Sequence, residues 1–354
     1  MSNGPKVIVD ADMVRYQIGC VCDKDRFLAM DDDKTIGIAS TRTELKELVG
    51  EEVYANCKIK RQVAADPVEN ALHSCKLVLE NIRKNTNARK MELYLGVSEN
   101  YRKDVSKLLP YKGNRVTKRK FEEMKATGKW PYYFEQYPKK YGMGRPTHFD
   151  ALTKYMIERY DAVEIDGIEV DDYLAIEQTR AWDWARDKMN PEEALRRNGL
   201  VLASIDKDLM QVPGVFFDFR PEDKRKAGVP DWEFITPKQA KLNLWSQAVS
   251  GDMTDNIYGI EGVSKEGAEK KLVEAITAST KVLNFSEWRY DQYAEWFEKT
   301  NKKLNEDKKV KPITKYIMEN YNYREYADEI YQLVYLLRTH KEIDKYVKEE
   351  DRSY

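Results

Sequence analysis

Eight acidic residues in this chain fall where a fold could bring them to one cation. They are Asp10; Glu169, Asp171 and Asp172 in GIEVDD; Asp206 and Asp208 in SIDKDL; and Asp252 and Asp255 in GDMTDN. Carboxylates gathered in that number repel one another, and only multivalent cations stabilise them in their charged form. All-oxygen ligands without Cys or His favour Mg2+ or Mn2+ over zinc. Asp252 and Asp255 are three residues apart, a spacing that sets both on one side of a helical turn. Immediately after them Gly259, Gly262 and Gly267 precede a polar, Lys-bearing helical pattern. Backbone amides left bare at such a helix start can accept a phosphate.

For these acids to meet, the elements that carry them must end at one edge. Lys6–Val9 predicts a short buried strand that ends at Asp10, followed by a helix over 13–22. Leu200–Ile205 is a continuous apolar run, the pattern of a strand buried on both faces, and Asp206 stands at its end. Further strands are expected at 91–96, 162–165 and 215–219, with helices at 66–85, 146–160 and 170–188. Asp66 is the expected N-cap of the first of these helices, with Pro67 at its first position. Between them, 27–40 predicts a hairpin, and Thr41 with Glu44 forms a capping-box pair that opens a short helix closing at Gly50. Strands alternating with helices predict an α/β fold, with a mainly parallel central sheet and helices on both faces. In such sheets the site lies at the carboxyl ends of the strands, where Asp10 and Asp206 fall. From Pro237 onward the pattern is helical and predicts no strand.

The totals narrow the class. With 354 residues the chain can bury a large core. It shows neither a signal-peptide pattern nor an apolar run long enough to span a membrane, so the expectation is a soluble, cytoplasmic protein with no membrane partner. Four cysteines and three histidines are too scattered for zinc spacings and suggest reduced thiols. The net charge of −1 hides a segregation, since residues 111–145 carry ten Lys/Arg against three acids. Phe121, Trp130, Tyr132, Tyr133, Phe134, Tyr137 and Tyr141 are interleaved with those cations. Exposed aromatics among cations suit single-stranded nucleic acid, where bases stack and phosphates pair with Lys or Arg.

Together these residues resemble the flap endonuclease-like 5′-nucleases, and within them the replication exonucleases of bacteriophages. The resemblance runs through Val7-Ile-Val-Asp10, Tyr101-Arg-Lys103, Tyr111-Lys-Gly-Asn-Arg115, Glu169-Val-Asp-Asp172, Asp206-Lys-Asp208 and Gly251-Asp-x-x-Asp-Asn-Ile257 with Gly259-x-x-Gly262. It covers residues 6 to about 272, and YQLVYLLRTHKEID looks like the family's closing helix. It implies a nuclease core over 1–235, with an arch at 111–150 that a 5′ strand passes. It also implies a helical DNA-binding region over 236–354, with a helix-hairpin-helix motif at 251–272.

By position, the resemblance implies one metal on Asp10, Glu169 and Asp171. A second would sit on Asp206, Asp208, Asp252 and Asp255, with Asp172 in support. Both would be Mg2+ or Mn2+ flanking the scissile phosphate in a two-metal hydrolysis of phosphodiester bonds. It further implies that Lys112 and Arg115 stabilise charge at that phosphate and that Tyr111 is a stacking platform. Gly259, Gly262, Ser264, Lys265, Gly267 and Lys270 would grip duplex backbone, with K+ on the hairpin carbonyls. The expected partners are DNA with 5′ ends, flaps or nicks and RNA–DNA hybrids, and no small organic cofactor is expected.

The chain departs from the family in three places. Val97, with Ser98 and Glu99 adjacent, stands where the family carries an acidic ligand. Tyr258 replaces a common proline, and residues 23–59 have no counterpart. Two other classes compete. One is an aspartate-nucleophile phosphatase with Asp10 attacking and Asp12 as acid/base. The other is a branched-DNA-binding protein without turnover.

Overall fold

A computed structural model of the chain describes residues 4–97, 100–128, 144–225, 230–264, 267, 290–306 and 311–346. The chain divides into two compact units. The larger comprises 1–10, 83–144 and 163–354, and the smaller 11–82 and 145–162. Leu108, Leu109, Tyr111 and Phe121 share one core with Leu244, Trp245, Tyr293, Phe297, Tyr326 and Leu333, which joins the expected helical region to the expected catalytic core.

The larger unit begins with β1 (Lys6–Asp10), whose Val7, Ile8 and Val9 have no exposed surface. In the smaller unit the helix Ala11–Cys22 leads into β2 (Asp23–Asp31), β3 (Lys34–Ala39) and β4 (Lys58–Ala65), an antiparallel sheet of order β3-β2-β4. The hairpin expected at 27–40 is there. So is the capping box, with the Thr41 hydroxyl on the Glu44 N–H and the Glu44 carboxylate on the Thr41 N–H. The long helix runs over Val68–Thr86, starting one residue after Pro67. Cys75, Leu79 and Ile82 are fully buried on its core side.

In the larger unit β5 (Lys90–Gly96), β6 (Val163–Ile165), β7 (Leu200–Ala203), β8 (Gly214–Phe217) and β9 (Trp232–Ile235) join β1 in a sheet of order β6-β5-β1-β7-β8-β9. It is parallel except for β9, which runs against β8. The chain winds outward from β1 through β5 and β6, then returns to β7 on the other side. That reversal makes the carboxyl end of the β1/β7 pair the crevice where such sheets place their sites. In the register, Val9 stands opposite Ala203 and Asp10 opposite Tyr94, so Asp10 and the Ser204–Asp206 turn leave the sheet at one level.

Several elements differ from the sequence expectation. β4 and β9 lie in stretches where no strand is predicted. Residues 251–258 form a small antiparallel hairpin, β10 (Gly251–Asp252) against β11 (Ile257–Tyr258), and not a helical turn. The reason is steric and local. Gly251 has φ +70, and a Cβ there would strike the Gly259 N and Ile257 O; a Cβ on Gly259 would strike the Ser250 carbonyl carbon. Only glycine permits this close crossing of backbone, and it stops the preceding helix, Pro237–Ser250, where the hairpin begins.

Candidate metal and phosphate site

The larger unit supplies every acidic residue of the candidate site. Asp10 is buried at the tip of β1 and accepts a 2.7 Å hydrogen bond from the Ser204 hydroxyl. The same Ser204 oxygen accepts the Asp206 N–H, and Asp206 accepts the Asp208 N–H, so one serine sets the turn that carries two acids. Glu169 stands at the N-cap of the helix Val170–Ala185, with Asp171 and Asp172 in its first turn, where the positive end of the helix favours carboxylates. Asp252 folds over its own turn, accepting from the N–H groups of Thr254 (2.8 Å) and Asp255 (3.3 Å). The amide of Gln247 spans Asp208 (2.8 Å) and Asp252 (3.1 Å).

The basic loop is laced to that hairpin. The Lys112 N–H donates to the Asp255 carbonyl, Asn114 to the Met253 carbonyl, Arg115 to the Thr254 carbonyl, and the Asn256 amide to the Pro110 carbonyl. Lys112 takes a left-handed backbone, φ 54, which turns its side chain toward Glu169. Its ammonium lies 2.5 Å from Glu169 and 3.7 Å from Asp255, and Arg115 pairs with Asp255.

Charge is unevenly compensated across the set. Burial would raise Glu169, yet Lys112 and Arg102, with hydrogen bonds from Lys112 and Tyr111, hold it down to about 2. Asp171 is pushed well above the usual carboxylate range, first by burial and then by Asp10, Asp206 and Glu169. Asp206 is raised in the same way, by burial and by Asp255 and Asp252. Asp252 falls below its usual value. Burial opposes that, but hydrogen bonds from the Asp208 carboxyl, the Thr254 and Asp255 N–H groups and Gln247 outweigh it. Asp10, Glu169, Asp171, Asp206, Asp252 and Asp255 thus form one electrostatically linked group.

Three expected roles change. Asp172 does not face the cluster. Its oxygens are taken by a bidentate bond from Arg102, at 2.5 and 2.8 Å, and by the Leu337 N–H. Tyr111 is not an exposed stacking platform. Its ring is 6% exposed within the core, and its hydroxyl ties Glu169 (3.0 Å) to Asp255 (2.8 Å). Phe121 is likewise buried, so it offers no face to a base. Of the hairpin residues, Gly259 serves backbone packing, Gly262 has φ +74 with open space around it, and the Ser264 hydroxyl accepts the Gly267 N–H. Lys265, Lys270, the arch aromatics from Trp130 to Tyr141, and Ser98 and Glu99 lie outside the described residues. Val97 is 41% exposed at the end of β5.

The sequence reading missed the residues that hold this frame. Arg102 is 1% exposed, reaches Glu169 at 3.3 Å besides Asp172, and donates to the carbonyls of Leu333 and Tyr335. Glu329, on the same C-terminal helix Tyr323–Val334, accepts the N–H groups of Lys107 and Leu108. That helix therefore grips both ends of the segment leading to Tyr111 and Lys112. Ser204, Gln247 and Asn100, which donates to Glu169 at 2.8 Å, complete the frame. Two sequence signals were available among them: Arg102 stands in the Tyr101-Arg-Lys103 stretch that carries the resemblance, and a serine stands two residues before an Asp-x-Asp.

As a metal site the donors fit in kind: oxygen ligands only, with Asp10 buried, the others half-buried, and the set mutually repelling. They do not form a preformed shell. Among the described residues no three acidic, histidine or cysteine groups stand in a ready ligating arrangement.

No family model matches the chain, and no curated protein matches it. Three solved structures from bacteriophage T5 are similar in fold. A protein crystallised with metal ions is 14% identical, with a TM-score of 0.46 over 96% of each chain. A 5′-exonuclease with bound divalent zinc is 15% identical, with a TM-score of 0.45 over 96% of this chain and 98% of that one. A flap endonuclease with DNA and metal ions is 15% identical, with a TM-score of 0.41 over 93% and 98%. Likeness this loose leaves the function to be decided by the residues.

Proposed function

We propose that the chain is a divalent-metal-dependent 5′-nuclease, acting as a 5′–3′ exonuclease and flap endonuclease on DNA, and on RNA primers, in phage replication or recombination. One observation carries this: an electrostatically linked set of carboxylates at the carboxyl end of β1 and β7, with Lys112 and Arg115 at its rim. Asp10, Glu169 and Asp171 would hold one Mg2+ or Mn2+, and Asp206, Asp208, Asp252 and Asp255 a second. When bound, such ions supply a nucleophilic water at neutral pH and neutralise charge on the phosphate.

The chain's own residues do the rest. Lys112 and Arg115 bring positive charge to the place where a phosphate would sit, and Asp255 and Glu169 keep both cations within reach. Tyr111 holds the two acids at a fixed separation without reacting itself. Arg102 fixes Glu169 from behind, and the pairing of Arg102 with Asp172 keeps that guanidinium from drifting into the site.

A phosphatase that uses Asp12 as acid/base is disfavoured because Asp12 is paired with Arg15 at 2.6 Å. The exposed Val97, at a position where the family carries a ligand, favours one second reading, a DNA-binding protein without turnover.

The test is a 5′-labelled flap and a nicked duplex incubated with Mg2+, Ca2+ or chelator. Short 5′ products that need Mg2+ and vanish in Asp206→Asn are expected. DNA binding in Mg2+ without such products, unchanged by Asp206→Asn, would establish the binder instead.

A further inference from the structure

The three-stranded sheet of the smaller unit has two unlike faces. One is satisfied within the unit. Gly37 lies against Val49 and Leu45, Phe27 lies under the Arg42 guanidinium at 5.4 Å, Ala29 is fully buried, and Asp25 holds Arg61 through two bonds of 2.8 and 2.7 Å. Alternation along the strands sends their neighbours to the other face. There β4 presents Lys58, Lys60 and Gln62, opposite Met30, Leu28 and Arg26 of β2, and Ile38 of β3 lies beside Leu28. The Thr35 hydroxyl on the Met30 sulfur confirms that those two share this side. The face is open to solvent: Lys58, Lys60, Arg26 and Gln62 are exposed, and Ile38 is 51% exposed.

Charge on this face is of one sign. Among the described residues no carboxylate stands within ion-pair reach of Arg26, Lys58 or Lys60, while Lys24 at the margin meets Asp66 at 3.8 Å. Two of the cations alternate along β4 about 7 Å apart, and Arg26 continues the row across the sheet. Unpaired cations on a flat face with no acid among them are complementary to a phosphodiester backbone. The face also distinguishes between kinds of nucleic acid. Single-strand binders stack bases on aromatic rings, and the sheet's one aromatic, Phe27, is turned to the opposite side.

We infer that the Arg26–Lys58–Lys60 face of this sheet is a second nucleic-acid surface, which holds the backbone of a duplex without reading its sequence. It needs neither bound metal nor cleavage, so it stands or falls separately from the proposed hydrolysis.

The full chain is titrated with a fluorescent duplex and with the matching single strand, in chelator, across a salt series. Removing three phosphate contacts, as Arg26→Gln/Lys58→Gln/Lys60→Gln, makes the slope of log affinity against log salt shallower by about 2–3 for duplex, at ~0.9 per phosphate. Lys46→Gln, whose ammonium is already engaged by Glu51, leaves the slope unchanged. Thermal melting checks that the triple variant is folded. If it is not, Lys60→Gln alone carries the test, with an expected change of about 1. An unchanged duplex slope in a folded variant, an equal or larger loss on single strand, or an equal loss in Lys46→Gln overturns the inference.

Discussion

Two carboxylates that follow one another in the chain, Asp171 and Asp172, end in opposite electrostatic surroundings. Asp172 has no exposed surface, but a buried guanidinium and a backbone N–H answer both its oxygens. Asp171, one step round the same helix, faces Asp10 and Asp206, and its carboxyl is driven well above the usual range. A charge buried with its partner is part of the frame. A half-buried charge crowded against its own kind is held there by the rest of the fold at a cost in stability, which marks it as a candidate site for something positive.

The comparison can be broken most severely at Asp172. Asp172→Asn takes from the buried Arg102 its bidentate partner, leaving only Glu169 at 3.3 Å, and is expected to cost about 3–5 kcal/mol of stability, read as a lower urea midpoint. At Asp171 the order reverses. Asp171→Asn removes a repulsion, so the urea midpoint holds or rises, while the proposed hydrolysis of the labelled flap falls on the order of 10²–10³-fold through loss of a proposed metal ligand. A large stability loss at Asp171 would erase the distinction.

A finer test is Arg102→Lys, which keeps the charge but loses the planar fork that serves Asp172 and two carbonyls at once. About 1–3 kcal/mol of stability should go, and turnover should fall without a change in DNA affinity, because Glu169 loses its hold. The smallest effect lies at Glu92, a compensated carboxylate outside the site. Burial would raise it, but Lys6, Lys90 and the Tyr94 hydroxyl prevail and hold it at about 2. Its contribution is therefore complete above its ordinary value of 4.5 and is lost as pH falls from there toward 2. Glu92→Gln should flatten the urea midpoint over that window, lowering it at neutral pH and leaving it level with the parent chain near pH 2.

These surroundings explain what could be read from the sequence. β1 and β7 were legible because continuous apolar runs have few alternatives, and Asp10 and Asp206 followed from standing at their ends. The two-stranded hairpin at 251–258 was not. Its Asp-x-x-Asp spacing suits a helical turn equally well, and what excludes the helix is a contact between Gly251 and Gly259. β4 was hidden because its outward residues are lysines and its partner strand is its only support. The fates of Asp172 and Tyr111 were out of reach for another reason. Their partners lie 70 and 144 residues away in the chain, and local pattern says nothing about pairing at that range.

The grip of the C-terminal helix on Arg102 also bears on timing. Leu333 and Tyr335, whose carbonyls complete the guanidinium's bonds, lie 231 and 233 residues downstream of it. A nascent chain that has not yet made this stretch leaves Arg102 without those acceptors and Lys107 and Leu108 without Glu329. If the proposed hydrolysis holds, the competence for it would then arrive only late in synthesis. An unfinished polypeptide, still tethered to its ribosome, would carry the clustered acids without the frame that holds them.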